Sequence, residues 1–185
     1  MYYWQVRKYP PLQKENQYKP KIVTWTSIID IGNIYNGQPL TAEEYLSVEN
    51  KYVNAAHIYM NYMKVTHMEV YLIHKLKEEL FIEHTLKYPE CYSDEIINFY
   101  YSLQDKDNLS IREVDLISRL ALREDIVCQL RHQDQFFLNH SYDYYMDIGS
   151  SIVCEAAICE IKELGLYIDL WNHPYEDNVW DNSLQ

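Results

Sequence analysis

Glycine and proline are nearly missing from most of this chain. Only 4 glycines and 6 prolines occur in 185 residues, and every proline lies outside the stretches 40–88 and 90–173. Long segments without either breaker argue against a loop-rich β fold and predict helices. The four cysteines, Cys91, Cys128, Cys154 and Cys159, form no CxxC pair. They are too few for a disulfide framework at this length and read as free thiols in a reducing compartment. No apolar run reaches the 18 residues of a spanning helix. The opening MYYWQVRKYPP lacks the apolar core of a signal peptide. A soluble, cytoplasmic protein is therefore expected. The length suits one domain, and a hydrophobic share of 48% supplies a core.

Positive charge is scarce toward one end. Residues 133–185 hold ten acids and one base, Lys162, whereas residues 1–38 hold five bases and two acids. A net charge of −12 repels phosphates, which disfavours direct nucleic-acid binding, and it attracts a basic protein partner. The same charge also serves plain solubility.

The pattern along the chain predicts an all-α fold, a bundle of about five helices behind an irregular or short-strand N-terminal segment. Residues 1–40 form the extended segment packed on the body, and 41–185 form the helical part of a single domain. Within 21–32, KIVTWTSIIDIG reads as one short strand or an extended arm. The NG at 36–37 marks a turn. Thr41 with Glu44 has the form of a capping box, and Tyr45, Val48, Tyr52, Ala55, Tyr59 and Tyr62 follow at helical spacing. Helical character is expected to continue past a kink near Val65–Thr66 to Lys87, ahead of Pro89. Ser93 caps a short helix, and Ser110 with Glu113 opens a long one reaching Phe137. Ser141 caps the last, which Gly165 ends.

On that last helix Tyr142, Tyr145, Met146, Gly149, Ile152, Val153 and Ala156 share the core face, and Gly149 lets a second helix approach. Asp143, Tyr144 and Asp147 are left facing solvent, the two aspartates as a like-charge i,i+4 pair that does nothing for folding. The tail LYIDLWNHPYEDNVWDNSLQ continues the theme by interleaving rings with carboxylates. Tyr and Trp are the side chains most enriched at interface hot spots. The predicted partner-binding set is Asp143, Tyr144, Asp147, Asp169, Tyr175, Glu176, Asp177 and Trp180. The competing reading is that the tail rings pin the C-terminus to the bundle.

Catalytic and metal patterns fail in turn. Glu124, Cys128 and His132 recur every four residues, but on a helix the outer two stand ~12 Å apart along the axis, too far to share one ion. His67 and His74 are ~10 Å apart by the same rule. HExxH, paired ExxH, the P-loop, GxGxxG and GxSxG are absent. No enzyme, metal or cofactor is expected.

The stretch TSIIDIGNIYNGQPLTAEEYLSVENKY, Thr26 to Tyr52, resembles openings of bacterial immunity proteins that neutralise polymorphic and contact-dependent growth-inhibition toxins. The positions that carry the likeness are Ser27, Asp30, Gly32, Gly37, Leu40, Glu44, Tyr45, Glu49 and Tyr52, together with the acidic, Tyr-rich composition. The resemblance implies inhibition by tight binding, in which the protein covers the active site or an exosite of a cognate, basic, nuclease-type toxin. The alternatives are a phage-type acidic inhibitor that mimics nucleic acid, a small helical enzyme, and a structural subunit.

Overall fold

A computed structural model describes residues 1–10 and 24–170. It overturns the all-α expectation: a seven-stranded antiparallel sheet forms one layer, and helices form the other. The large sheet comprises β1 (Tyr2–Arg7), β4 (His67–Lys75), β5 (Asn108–Ser110), β6 (Ile126–His132), β7 (Phe136–Ser141), β8 (Tyr145–Ser150) and β9 (Tyr167–Leu170). Their order is β5-β4-β6-β7-β8-β1-β9, so the N-terminal strand is held between β8 and β9. A separate hairpin pairs β2 (Ile34–Tyr35) with β3 (Gln38–Pro39). Its Asn36 and Gly37 both have positive φ, the pair a tight primed turn requires.

The helices are α1 (Ala42–Met63), α2 (Glu78–Lys87), α3 (Asp94–Ser102), α4 (Ile111–Leu122) and α5 (Glu155–Glu163). Three of the five starts follow the sequence signals, whereas α2 and α5 begin after Lys77 and Cys154 with no side-chain cap, and Ser141, expected to cap the last helix, precedes only a 3₁₀ turn. Thr41 accepts from the Glu44 amide, Ser93 from that of Ile96, and Ser110 with Glu113 completes a reciprocal capping box. Gly165, at φ +81°, ends α5 in the left-handed conformation.

Three predicted helices are replaced in part by strands. Residues 67–75 form β4 ahead of a shorter α2. The helix opened at Ser110 stops at Leu122, and 126–132 is β6. Residues 145–150 are β8, preceded by one 3₁₀ turn at Tyr142–Tyr144. Residues 21–23 lie outside the described residues, and the remainder of the expected strand, 24–32, contains a 3₁₀ turn at Ile28–Asp30 instead.

Strand periodicity explains the layering. Ile126, Cys128 and Leu130, Phe136 and Leu138, Met146 and Ile148, and Trp4 and Val6 alternate onto one face and are buried. The helices α1 and α4 pack on that face. Gln129, Phe137, Asn139, Asp147, Gly149 and Gln5 point the other way. Gly149 therefore makes no helix–helix approach. It faces Phe137 across the ladder, and a Cβ there would stand 1.8 Å from the Phe137 ring.

Where the helices converge, a charge is buried. Glu49 of α1 is closed off from solvent and receives Nε and Nη2 of Arg123 at 2.7 Å each, and Nη1 of Arg119 at 2.8 Å. The third guanidinium nitrogen of Arg123 donates to the Cys91 carbonyl. Burial alone would lower the Arg123 pKa, but the carboxylate of Glu49 outweighs it and holds the guanidinium charged. Tyr92, beneath that guanidinium, donates to Asp125 at 2.6 Å, and Asp125 also meets His84 of α2 at 2.9 Å.

Removing one partner of such a pair leaves an uncompensated buried charge, so Glu49→Gln is expected to lower stability by about 3–5 kcal/mol in urea denaturation. Arg123→Lys should lose much of the same amount, because one ammonium cannot span both carboxylate oxygens and the Cys91 carbonyl. A second expectation concerns pH. Burial pushes His140, only 6% exposed, down to about 4, so the unfolded chain binds its proton first as pH falls. Stability from this group is complete above about pH 6.5 and is lost toward pH 4, by on the order of 3 kcal/mol. A His140→Phe variant should flatten the urea midpoint across that window.

Candidate functional site

At one end of the sheet three strands separate. β4 and β6 pair as far as Tyr71 opposite Gln129; the register then shifts through a bulge and resumes at His74 opposite Val127. Within the bulge Leu72 has φ +54°. The β6–β7 ladder stops at Gln129 opposite Asn139. The resulting cleft, about 330 Å³, is walled by Leu72, Val127, Ala121 and Cys128, with Gln129, Asn139, His140 and Ser141 on the strand side and Glu124 and Tyr142 at its rim. Bulges commonly serve to re-aim side chains in this way.

Backbone strain gathers here. Among the described residues eight non-glycines have positive φ; Leu72 and Glu124 line this cleft, and Asp143 and Tyr144 follow its rim residue Tyr142 in the chain. Each such residue costs about 1–2 kcal/mol. Left-handed non-glycine backbone thus occurs in the lining of this cavity and just beyond its rim.

Chemically, the cleft offers acceptors and apolar walls. Burial raises the Glu124 carboxyl pKa, and the nearby Asp143 carboxylate raises it further. No lysine or arginine lines the cleft. Burial pushes the Cys128 thiol up to about 12, so it remains a thiol at neutral pH and offers no nucleophile. Nε2 of His140 has no hydrogen-bond partner. The Glu124, Cys128, His132 series, expected on one helical face, is divided between a turn and a strand. His132 instead stacks edge-on against His67, 4.7 Å between centroids. Among the described residues no group of three or more His, Cys, Asp or Glu is placed to hold a metal ion.

The structure disperses the predicted contact residues. Asp143 is exposed and stands beside Glu124 at the cleft. Tyr144, expected to face solvent, is 1% exposed; its ring lies 5.0 Å from Trp25, 5.3 Å from Tyr52 and 5.8 Å from Tyr45. Asp147, also expected outside, is 4% exposed, sits opposite Asn139 and Gln5 in the ladder, and has its carboxyl pKa raised by burial. No i,i+4 aspartate pair exists, because 145–150 is a strand. Asp169 is exposed on β9 and bound to Arg7. Tyr175, Glu176, Asp177 and Trp180 lie outside the described residues. Tyr142, assigned to the core, is 65% exposed at the cleft rim.

A second surface has no counterpart in the sequence reading. Helix α2 buries Phe81 alone, while Leu80, Ile82 and Leu86 are exposed, Leu86 at 76%. Ile82 and Leu86 stand one turn apart beside Glu79 and Glu83, also one turn apart, and with Lys87 these residues surround a shallow hollow. Two like charges at i,i+4 weaken a helix slightly, and an exposed i,i+4 aliphatic pair adds little to it. The signal was present in the letters EELFIEHTLK, where three large aliphatics lie off the side that carries Phe81.

No helix among the described residues is long and apolar enough to cross a membrane. No family model matches the chain, and no curated protein or solved structure matches it either.

Proposed function

We propose that this protein is a toxin-neutralising binding protein of the immunity type, which docks on a basic, nuclease-type protein and blocks its active site or an exosite without catalysis of its own. One observation carries this reading: the outward face of α2 sets two exposed aliphatics, Ile82 and Leu86, which take no part in the core, beside the carboxylates of Glu79 and Glu83. Aliphatic anchors bordered by charge are how a helix seats in a partner's apolar groove. The net charge of −12 favours a basic partner and speeds encounter with it.

Co-expression with the product of the neighbouring gene tests the proposal: a soluble complex in which that product's toxic activity is suppressed is expected. Ile82→Ser with Leu86→Ser removes about 1.5–3 kcal/mol per anchor, if each is buried on docking, and should weaken binding at least tenfold in titration calorimetry. Glu79→Lys with Glu83→Lys should slow association and reduce its salt dependence. All four side chains are exposed, so thermal melting should move little. Full toxin activity in the presence of a stoichiometric excess of the wild-type chain would refute the function.

A further inference from the structure

We infer that the cleft between the ends of β4, β6 and β7 is a binding site for a guanidinium group, supplied by an arginine side chain of the protein partner. That source rests on the function proposed above, whereas the recognition chemistry stands on the cleft itself.

Three features select this ligand class. First, the rim bears the Glu124 carboxylate with Asp143 close by, and the lining holds the histidines His74 and His140 but no lysine or arginine. A carboxylate whose surroundings already penalise its charge gains from an incoming cation more than a solvated one does. Second, the strand side carries amide and hydroxyl oxygens at Asn139 and Ser141. A guanidinium presents five donors in a planar fork and can serve several such acceptors at once; an ammonium is a point donor. Third, Leu72 and Val127 flank the opening, and the ring of Tyr142 stands out from it. Apolar walls suit the methylene stem of arginine, and an aromatic face suits its cationic plane.

The strain fits the same use. Leu72 and Glu124, which both line the cleft, adopt left-handed backbone conformations.

The probe is N-acetyl-L-argininamide, titrated against the full chain and followed by two-dimensional NMR. Saturable shifts confined to Leu72, Val127, His140 and Tyr142, with a Kd of about millimolar order for a ligand of this size, are the expected result. The neutral isostere N-acetyl-L-citrullinamide should leave those resonances in place. Glu124→Gln, which keeps the shape of the side chain, should weaken the capped arginine about tenfold with the dispersed spectrum otherwise retained. Equal binding of the citrulline probe, or no localised shift with either, overturns the site. Free L-arginine binding tenfold more tightly than the capped form would instead assign the cleft to a small molecule and overturn the partner as source. If Glu124→Gln weakens the probe but leaves the neighbouring gene product's affinity unchanged, the partner's arginine does not enter here, while the proposed function survives. Failure of the wild-type chain to bind that product refutes the function and leaves the guanidinium site to stand or fall on the probe.

Discussion

The pairing of Glu49 with Arg123 is the constraint around which the helical layer is arranged. Both groups are withdrawn from water, and the Glu49 carboxylate is what holds the buried Arg123 guanidinium charged. The geometry leaves little slack: two nitrogens of Arg123 face the two oxygens of Glu49, and the third is committed to the Cys91 carbonyl. One side chain thereby fixes α1, the end of α4 and the turn between α2 and α3. A pair of apolar residues would pack these helices as tightly but would not specify a single register between them, so the polarity here serves uniqueness more than net stability. Arg123 is also the last residue before Glu124 and Asp125, the turn from which β6 starts, so the cleft inherits its position from this contact.

The resembling stretch gains a physical account on the same ground. Asp30 accepts amide hydrogens from Thr26 and Ser27 and so closes a 3₁₀ turn. Tyr45 and Tyr52 are buried around Tyr144, with the Tyr52 hydroxyl donating to the Tyr144 carbonyl, and Glu49 lies one turn from each. Those positions hold the scaffold together.

Helix starts were legible because capping is local. Thr41, Ser93 and Ser110 each announce a helix through residues at most three positions away, and Asn36–Gly37 announces a turn in the same manner. The strands were not legible, because the scarcity of glycine and proline was taken to mean unbroken helix. This chain turns on other residues in left-handed backbone: Lys64 ends α1, Glu124 separates α4 from β6, Gln133 lies in the β6–β7 connection, and Asp143 precedes β8. Lys, Glu and Gln do not signal such turns in a sequence, and only Asp is enriched there. Period-two alternation was present in 126–130 and 145–149. In the second segment, however, Tyr142, Tyr145, Met146 and Gly149 also satisfy helical spacing, and that overlap placed Tyr144 and Asp147 on the wrong side of the surface. Asp143 fell near the cleft for a reason the helical reading did not contain.

The four strained residues need a different explanation from the buried pair. A fold held by the Glu49–Arg123 contact has energy to spare nearby, since the residue preceding Glu124 is among the most tightly bound in the molecule. Glycine at Leu72 or Glu124 would relieve the backbone at once, yet it would also remove an apolar wall in the first case and the cleft's carboxylate in the second. The side chains thus occupy conformations that disfavour them at the points where their chemistry borders the cavity. Rigidity next door keeps the arrangement from relaxing, and a ligand meeting walls already in position loses less entropy in binding. Strain held beside a rigid anchor supports the proposal that this cleft is preorganised for an incoming group.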